Sequence, residues 1–382
     1  MMDEIEQKRE KWRKKAKAVA KNVVAPRAAE IDAKGEFPWD IAEVFAHQGF
    51  LSLLIPKEFG GEDTDITSFC IVIDELAHYC VSSALLIIAH TVGMMPIVLV
   101  ETMELKESIL TKVTKEKALF CFCLTEPEAG SDAASIRTKA LLEGDHYLLN
   151  GRKCFITNGG VSDFYTIFAI TNREKKMEGM TGFVVEKGTP GLSVGKTEEK
   201  MGIRGSSTTE VILEDLRVPI AQRIGEEGVA WWLLMRTLNR SRPAIGALAV
   251  GLARGALDYL IRFGQERGWA ERKNETLGMQ FMLADMAIEV EAARGLVYQA
   301  ARMIDEKVKG IPVQMYSAMS KYFASDVAMK TTTNAVQMMQ WHGLVQDHPV
   351  ERMMRDAKVI QIFEGTNQIQ RVVVAHTLLK SR

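Results

Sequence analysis

Glu364 is a carboxylate whose surroundings suit a general base. It lies in Ile362-Phe363-Glu364-Gly365-Thr366-Asn367-Gln368, which joins two apolar stretches of helical pattern. Gly365 can end the first helix, and Thr366 or Asn367 can cap the next one. A carboxylate at such a junction is partly desolvated, which raises its pKa and makes it a better base. A solvated glutamate near the end of the chain is an equal alternative at this point.

Two earlier segments could hold a phosphate or a planar ring. Leu124-Thr125-Glu126-Pro127-Glu128-Ala129-Gly130-Ser131-Asp132 follows a strand-like stretch. Its small residues let a ligand approach the backbone, and its hydroxyl groups can donate hydrogen bonds. In Phe155-Ile156-Thr157-Asn158-Gly159-Gly160, an aromatic and a hydroxyl two positions apart share one face of a strand. Taken singly, an ordinary turn and a packed phenylalanine beside a surface threonine explain the two segments as well.

The composition argues against several other functions. The 382 residues are 47% hydrophobic and 25% charged, with a formal net charge of -1, so we expect a globular protein without general attraction to nucleic acid. The most apolar helical pattern, 244–261, contains Arg254 and Asp258 and predicts no membrane span. The five cysteines and seven histidines lack metal-site spacing, so we expect no metal. Scattered cysteines and the lack of an export signal indicate a cytoplasmic protein.

Three regions of different periodicity must position these segments. In residues 1–117, apolar residues three or four apart predict helices. Residues 118–222 are strand-like with Gly-rich turns and predict a small β-barrel or sandwich, including a hairpin that turns on Asn150-Gly151. Residues 223–382 are helical again. We therefore predict an α+β protein, mainly α, with an N-terminal helical domain, a middle β domain and a C-terminal four-helix bundle.

The predicted bundle consists of long amphipathic runs with short connections. The runs cover 227–266, 276–308, 312–341 and 348–380, with breaks near Gly268, Gly310 and Gly343. Because ligand pockets often form where domains meet, we expect the binding cleft at the junction of the three regions.

In their order along the chain, the three segments resemble the acyl-CoA dehydrogenase family. The resemblance covers nearly the whole chain and includes Phe37-Pro38, Ile55-Pro56, Gly60-Gly61, Met201-Gly202-Ile203-Arg204, Leu213 to Pro219 and Arg355-Asp356-Ala357-Lys358. It implies the three-part fold predicted above, with FAD held between domains and at a subunit contact, usually in a homotetramer. It also implies oxidation of an acyl-CoA to the 2-enoyl-CoA, with an electron-transferring flavoprotein as partner.

The resemblance implies roles for individual residues. Glu364 matches the base that removes the α-proton while flavin N5 accepts the β-hydride. Some branches place the base on an earlier helix, at a position matched here by Ser241, which cannot serve. The residues implied to contact FAD are Phe122, Leu124, Thr125, Gly130, Ser131, Phe155, Thr157, Thr366 and Gln368. Those implied to contact substrate are Ser131, Asn239, Arg242, Phe363 and Gly365. In the family, the backbone N–H at the glutamate and a flavin hydroxyl bind the thioester oxygen.

Three departures concern FAD bound to the neighbouring subunit, where Arg267, Gln337 and Trp341 are expected to contribute. The altered positions are Arg267-Gly268-Trp269-Ala270-Glu271, Leu277 in place of a glutamine, and Gln340-Trp341 in place of a glycine pair. The larger side chains prevent the close backbone approach that glycine allows. Two hypotheses follow. The chain could form a heteromer with a related subunit, or a homo-oligomer in which Trp269 or Trp341 packs on the dinucleotide.

The acyl group is less well defined by the sequence. Ser82-Ser83-Ala84 stands where glutaryl-type relatives carry an arginine for the distal carboxylate, which disfavours that mode without excluding other anionic acyl groups. An apolar acyl pocket, or simply core, could be formed by Ile88, Met94, Met95 and Phe363. Alternative functions are an enoyl-CoA reductase running in reverse, an acyl-CoA oxidase, and a non-catalytic partner subunit that completes a relative's FAD site.

Overall fold

The first part of the chain is helical. In a computed structural model, which describes residues 2–308 and 312–380, a turn of π-helix over Ala20–Val24 connects the first two helices. The helices are α1 (Met2–Val19), α2 (Ala25–Lys34), α3 (Trp39–His47), α4 (Ile66–Ala77), α5 (Val81–Leu99) and α6 (Met103–Glu116). Asp65 caps α4 by accepting a hydrogen bond from the N–H of Ser68 at 2.7 Å.

Helix α5 is apolar on all sides because the protein surrounds it. Together with Ala230–Glu266, it is long and apolar enough to cross a membrane by composition, but 94% of its apolar window is buried inside the protein. Its neighbours are α4, α7 and the strand β1, whose bounds follow. A helix packed on every side needs no polar face, so burial accounts for its composition.

The middle part of the chain is a single sheet of eight described strands. They are β1 (Phe120–Cys123), β2 (Lys139–Glu143), β3 (His146–Thr157), β4 (Phe164–Ile170), β5 (Met180–Glu186), β6 (Leu192–Thr197), β7 (Thr208–Pro219) and β8 (Arg223–Ile224). The strand order is β6-β7-β3-β2-β4-β5-β8, and β1 pairs with β4 in parallel. The parallel pairing leads the chain from β1 directly into the segment that starts at Leu124.

The hairpin predicted at Asn150-Gly151 is wrong, because both residues lie within the continuous strand β3. The turn is at Gly144-Asp145 instead, where Gly144 has a φ of +64°. The Asn150 side chain donates to Asp215 at 3.1 Å and accepts from its backbone N–H at 2.9 Å. The pairing of β3 with β7 shifts register here. Tertiary contacts have therefore turned an Asn-Gly signal into a bulge.

The last part of the chain is again helical. It contains α7 (Ala230–Glu266), α8 (Lys273–Asp305), α9 (Val313–Met339), α10 (Val350–Ile360) and α11 (Asn367–Lys380). The single run predicted at 348–380 forms two helices, α10 and α11, because residues 361–366 between them are not helical. The break predicted near Gly310 lies outside the described residues. The fold class, helical then β then helical, is confirmed, whereas the limits 117/118 and 222/223 stay predictions.

The first and last helical parts share one hydrophobic core. It extends from Trp12 to Ile360 and includes buried residues of α4, α5, α7 and α9. Within it, Asp74 is fully buried and accepts hydrogen bonds from Arg254 at 2.6 Å and from the hydroxyl of Tyr298 at 2.8 Å. A buried carboxylate satisfied in this way ties α4 to α7 and α8.

We expect the Gly251→Ala substitution to destabilise the protein by about 1–3 kcal/mol, the usual cost of overpacking a core. A Cβ at Gly251 would overlap the carbonyl oxygen of Asp74 and come within 2.9 Å of the Cβ of Ala77, so α4 and α7 would have to separate. Denaturant unfolding measures the change.

The matched control is Gly295→Ala on α8, where a Cβ meets nothing within 4 Å. Alanine has a higher helix propensity than glycine, so the free energy of unfolding of this variant should increase by about 0.5–1 kcal/mol. Equal behaviour of the two variants would contradict the close packing of α4 on α7.

Candidate active site

Glu364 lies at a sharp break between α10 and α11. Its φ is +54° and that of Gly365 is +85°, so the backbone is left-handed at two successive residues. This conformation strains a glutamate but suits glycine. The hydroxyl of Thr366 accepts a hydrogen bond from the N–H of Ile369 at 3.3 Å and caps α11. The structure thus places Glu364 between two helix ends.

Lys321 on α9 holds this junction from inside the protein. Its buried ammonium group donates to the carbonyl oxygen of Gly365 at 2.9 Å and to Oδ1 of Asn367 at 2.8 Å. Burial lowers the pKa of Lys321 to about 7, although the negative charges of Glu364 and Asp326 raise it. Lys321 therefore fixes the backbone next to the glutamate and also acts on its charge.

Helix α7 supplies the polar groups that surround the carboxylate of Glu364. Ser241 donates from Oγ to Oε2 of Glu364 at 3.3 Å, and the buried Arg242 donates to Oδ1 of Asn239 at 3.2 Å. Burial raises the pKa of Glu364. The charge of Arg242, the hydrogen bond from Ser241 and the charge of Lys321 offset part of this rise. A carboxylate with a raised pKa is a better base at neutral pH.

The backbone N–H of Glu364 is available to a ligand. Among the residues that the structure describes, no oxygen accepts a hydrogen bond from it. The carbonyl of the same residue accepts one from Gln370 at 3.4 Å, while the neighbouring Phe363 packs, half-buried, on the main core. An unpaired N–H beside a base can stabilise negative charge that develops on a ligand's carbonyl oxygen.

A buried ion pair fixes the segment that begins at Leu124. Nζ of Lys153 in β3 lies 2.8 Å from Oε1 of Glu126 and 3.1 Å from the carbonyl oxygen of Leu124. Burial alone raises the pKa of Glu126. The charge of Lys153 and hydrogen bonds from Lys153, Thr138 and the Arg137 backbone lower it overall. The loop after β1 is therefore attached to β3.

The same attachment places Thr125 beside Phe155 and Thr157. The N–H of Cys154 donates to the carbonyl oxygen of Thr125 at 2.9 Å. Phe155 has 65% of its surface exposed and a φ of +54° within a bulge of β3. Ile156 is buried, whereas Phe155 before it is exposed and Thr157 after it is partly exposed. An exposed aromatic ring with threonine hydroxyls nearby offers a stacking surface and hydrogen bonds.

The other residues predicted to contact the cofactor leave room for it. Phe122 is half-buried against Phe168, with ring centroids 4.9 Å apart. Gly130 and Ser131 are exposed, and a Cβ at Gly130 would meet nothing within 4 Å. Gln368 is exposed on α11. A planar ring with a phosphate tail fits this set, because it needs an aromatic wall and an open backbone.

Arg267, Gln337 and Trp341 belong to a separate corner at the end of α9. All three are exposed. Arg267 approaches His342 at 3.4 Å, and the indole of Trp341 stacks on the same imidazole with ring centroids 3.6 Å apart. Within 2–308 and 312–380, no hydrogen bond or ion pair connects these three residues with Glu364.

Trp269 does not reach the surface of this corner. It is only 7% exposed, and its ring packs against Gly264 and edge-on against Phe263. Of the two tryptophans expected to pack on a dinucleotide, Trp269 is therefore too buried to do so, whereas Trp341 is exposed. Gln340 has φ +54° and ψ −135°, a glycine-type conformation. The backbone at position 340 therefore has a conformation that glycine adopts more readily than glutamine.

A narrow cavity lies next to Ser241, between α4, α5 and α7. It measures ≈ 10 Å³ and is lined by Leu54, Phe69, Thr91, Val92, Met95, Thr237, Arg240 and Ser241. Of the residues considered for an acyl pocket, Met95 lines it. Ile88 and Met94 are fully buried members of the packed core instead. Ser241 connects the cavity with the glutamate, because it lines the cavity and is hydrogen-bonded to Glu364.

Three cationic residues of the site were missed by the sequence analysis: Lys153, Lys321 and Arg240. Lys153 and Lys321 are fully buried, and both occupy positions that strand or helix periodicity assigns to the interior. Lysines are almost never buried without a partner. A lysine at a position that periodicity assigns to the core therefore indicates a buried charge with a partner. Periodicity does not identify that partner.

Three family models match successive parts of the chain. The N-terminal domain of acyl-CoA dehydrogenase matches residues 6–117, its middle domain residues 121–216 and its C-terminal domain residues 230–379. The matches follow the order of the helical, β and helical parts described above.

Similar proteins carry related names. A probable acyl-CoA dehydrogenase of Mycobacterium tuberculosis is 45% identical over 378 residues, 98% of this chain and 96% of the relative. A cyclohex-1-ene-1-carbonyl-CoA dehydrogenase of Syntrophus aciditrophicus is 44% identical over 380 residues, 99% and 91% of the two chains. A chain solved in work on the electron transferring flavoprotein of Acidaminococcus fermentans and flavin-based electron bifurcation superposes with a TM-score of 0.93 and 38% identity, covering 97% of this chain and 98% of that one. The chain therefore belongs to the acyl-CoA dehydrogenase family of flavin-dependent oxidoreductases, which act on CH–CH groups.

Proposed function

We propose that this protein oxidises an acyl-CoA thioester to the 2-enoyl-CoA, with Glu364 as the base. The observation that carries the proposal is the position of Glu364. Its carboxylate lies at a helix break with a raised pKa, next to its own unpaired N–H and to the cavity that begins at Ser241. These are a base, an oxyanion donor and a small cavity within one site, which an acyl group could enter by displacing side chains.

The chain's own residues orient the thioester and move the proton. The N–H of Glu364 binds the thioester oxygen, which acidifies the α-carbon, and the Glu364 carboxylate accepts the α-proton. Arg242 and Lys321 are the positive charges that act on this carboxylate, and they favour its ionised form before the reaction. Ser241 orients Oε2 by its hydrogen bond.

We propose FAD as the flavin. When bound, it supplies the acceptor for the hydride that leaves the β-carbon. Phe155, Thr125 and Thr157 would hold the ring, whereas the open backbone at Gly130 and Ser131 suits the diphosphate. Thr366 and Gln368 would complete the contact from α11. Arg267, Gln337 and Trp341 would meet a neighbouring subunit's FAD in a homotetramer, or in a heteromer with a related subunit.

The cellular setting is part of the same proposal. We propose an electron-transferring flavoprotein as the redox partner, supported by the similarity to the chain from the Acidaminococcus fermentans study. A cytoplasmic location is supported by the composition alone. The same residues catalyse reduction of the enoyl-CoA if the electron supply reverses the reaction, since a base that accepts a proton also returns it.

We expect Glu364→Gln to abolish bleaching of the flavin by acyl-CoA while the protein keeps its flavin. The amide has the size of the carboxylate but cannot accept the proton, and loss of general-base catalysis costs about 10²- to 10⁴-fold in rate. Stopped-flow absorbance of the flavin measures the rate, and the spectrum of the purified variant measures flavin content.

The control is Glu289→Gln on α8, a carboxylate that pairs with Lys330 away from the site. It should leave the bleaching rate unchanged. Undiminished turnover of Glu364→Gln would refute the assignment of the base.

We expect Lys321→Met to shift the acid limb of the kcat/KM pH profile to higher pH. The positive charge of Lys321 lowers the pKa of Glu364, so its removal raises that pKa further, and the base becomes protonated at a higher pH. A pH–rate profile with one acyl-CoA measures the shift.

Lys330→Met on the same helix is the control, because its ammonium group is exposed and pairs with Glu289. Its profile should match that of the unmodified protein. An unshifted acid limb in Lys321→Met, with flavin retained, would mean that Lys321 supports the backbone but does not act on the base.

A further inference from the structure

The cavity beside Ser241 has an arginine in its lining. Arg240 follows Asn239 on α7 and lines the cavity together with apolar side chains such as Leu54, Phe69 and Met95. The apolar residues suit a hydrocarbon chain, but a guanidinium group near them does not. Its presence therefore needs a reason in addition to packing.

The guanidinium group of Arg240 has little to bind within the protein. Nη1 donates to the carbonyl oxygen of Arg236, one turn earlier in the same helix, at 3.2 Å. In the described part of the chain, it forms no ion pair with a carboxylate. Asp305, whose charge acts on it, already accepts hydrogen bonds from the N–H groups of Ile66 and Thr67 and from the Thr67 hydroxyl.

Burial makes this lack of an ion pair costly. It lowers the pKa of Arg240, and the charge of Arg236 lowers it further, while Asp305 offsets part of the effect. An arginine nevertheless keeps its proton. A half-buried positive charge without an anion is a site that gains free energy when an anion arrives.

A second polar group in the same cavity is also without a partner. Thr237 is 1% exposed, lines the cavity one helical turn before Ser241, and its hydroxyl has no hydrogen-bond partner among the described residues. Buried hydroxyl groups are almost always bonded. The cavity therefore contains an unused hydroxyl as well as an unpaired cation, and a ligand with oxygen atoms could satisfy both.

We propose that Arg240 and Thr237 bind a terminal carboxylate of the acyl group, so that the protein prefers short dicarboxylic acyl-CoA thioesters. The cavity of ≈ 10 Å³ has room for about one water molecule, so a carboxylate enters only when side chains such as the flexible Met95 move aside, and a short acyl group requires the least movement. The planar guanidinium group matches a carboxylate in shape and charge. Arg240 lies on α7, away from the Ser82–Ala84 position on α5, so it offers a different carboxylate contact. This inference rests on the proposed dehydrogenase function.

The test compares matched thioesters on the flavin-loaded, full-length protein. The pairs are succinyl- with butyryl-CoA, glutaryl- with pentanoyl-CoA, and adipyl- with hexanoyl-CoA, and kcat/KM is measured with an artificial electron acceptor. We expect one dicarboxylic thioester to exceed its neutral partner by at least about 10-fold, the value of a hydrogen bond to a charged group. In Arg240→Met the ratio of kcat/KM between that thioester and its neutral partner should fall by about 10- to 100-fold.

Two further variants separate the charge from the fold. Arg240→Lys keeps the positive charge and should retain part of the preference. Arg236→Met removes a neighbouring arginine that stacks on Trp232 at 4.2 Å and does not line the cavity, so its preference should match the unmodified protein.

Three outcomes would overturn the inference. They are a preference of the unmodified protein for the neutral thioesters, an equal loss with both thioesters in Arg240→Met, and an equal effect of Arg236→Met. The first result decides the matter even if Arg240→Met does not fold. If the unmodified protein turns over neutral thioesters only, the inference fails and the proposed function stands. If no thioester reduces the flavin, the proposed function fails too.

Discussion

The geometry of the site depends on the buried ammonium group of Lys321. The left-handed backbone at Glu364 costs about 1–2 kcal/mol for a residue with a Cβ, and it turns the carbonyl of Gly365 into the protein. Lys321 donates a hydrogen bond to that carbonyl at 2.9 Å. It donates another to Asn367, the first residue of α11. Gln370 donates a second hydrogen bond to the same carbonyl at 3.0 Å, so the backbone between α10 and α11 is fixed by one buried cation and one amide. Apolar packing alone could not satisfy this carbonyl.

A second buried amine has a similar role beside the proposed flavin contacts. Lys153 binds the carbonyl of Leu124 and the carboxylate of Glu126, and so joins the loop after β1 to β3. In both places a lysine from a helix or a strand binds backbone carbonyl groups of a loop that has no regular secondary structure. The proposed base and the proposed flavin contacts thus lie on loops that buried lysines attach to a helix and a strand. Such precision matters because small misplacements of reacting groups cost large factors in rate.

Periodicity predicted the helical, β and helical order, and capping chemistry predicted the break at Gly365 and Thr366. Both signals depend only on residues close together in the chain, so they can be recognised in a single sequence. The Asn150-Gly151 hairpin failed because Asp215, from another strand, binds Asn150. The roles of Lys321 and Lys153 were equally hidden, since their partners are 44 and 27–29 positions away. Whether Trp269 faces a ligand or the core also depends on long-range packing, which periodicity does not describe.

The core shared by the first and last helical parts has a consequence for how the chain acquires its structure. Since α4 packs against α7 and α8, and α5 packs against α7, these early helices cannot be fully covered until the last helical part of the chain exists. During synthesis, the surface of α5 that later packs against α7 is therefore exposed to water while the sheet, which has its own core, is completed. The order of the three parts therefore leaves apolar surface open to aggregation while the chain is being made. The finished helices should then melt together as one cooperative unit.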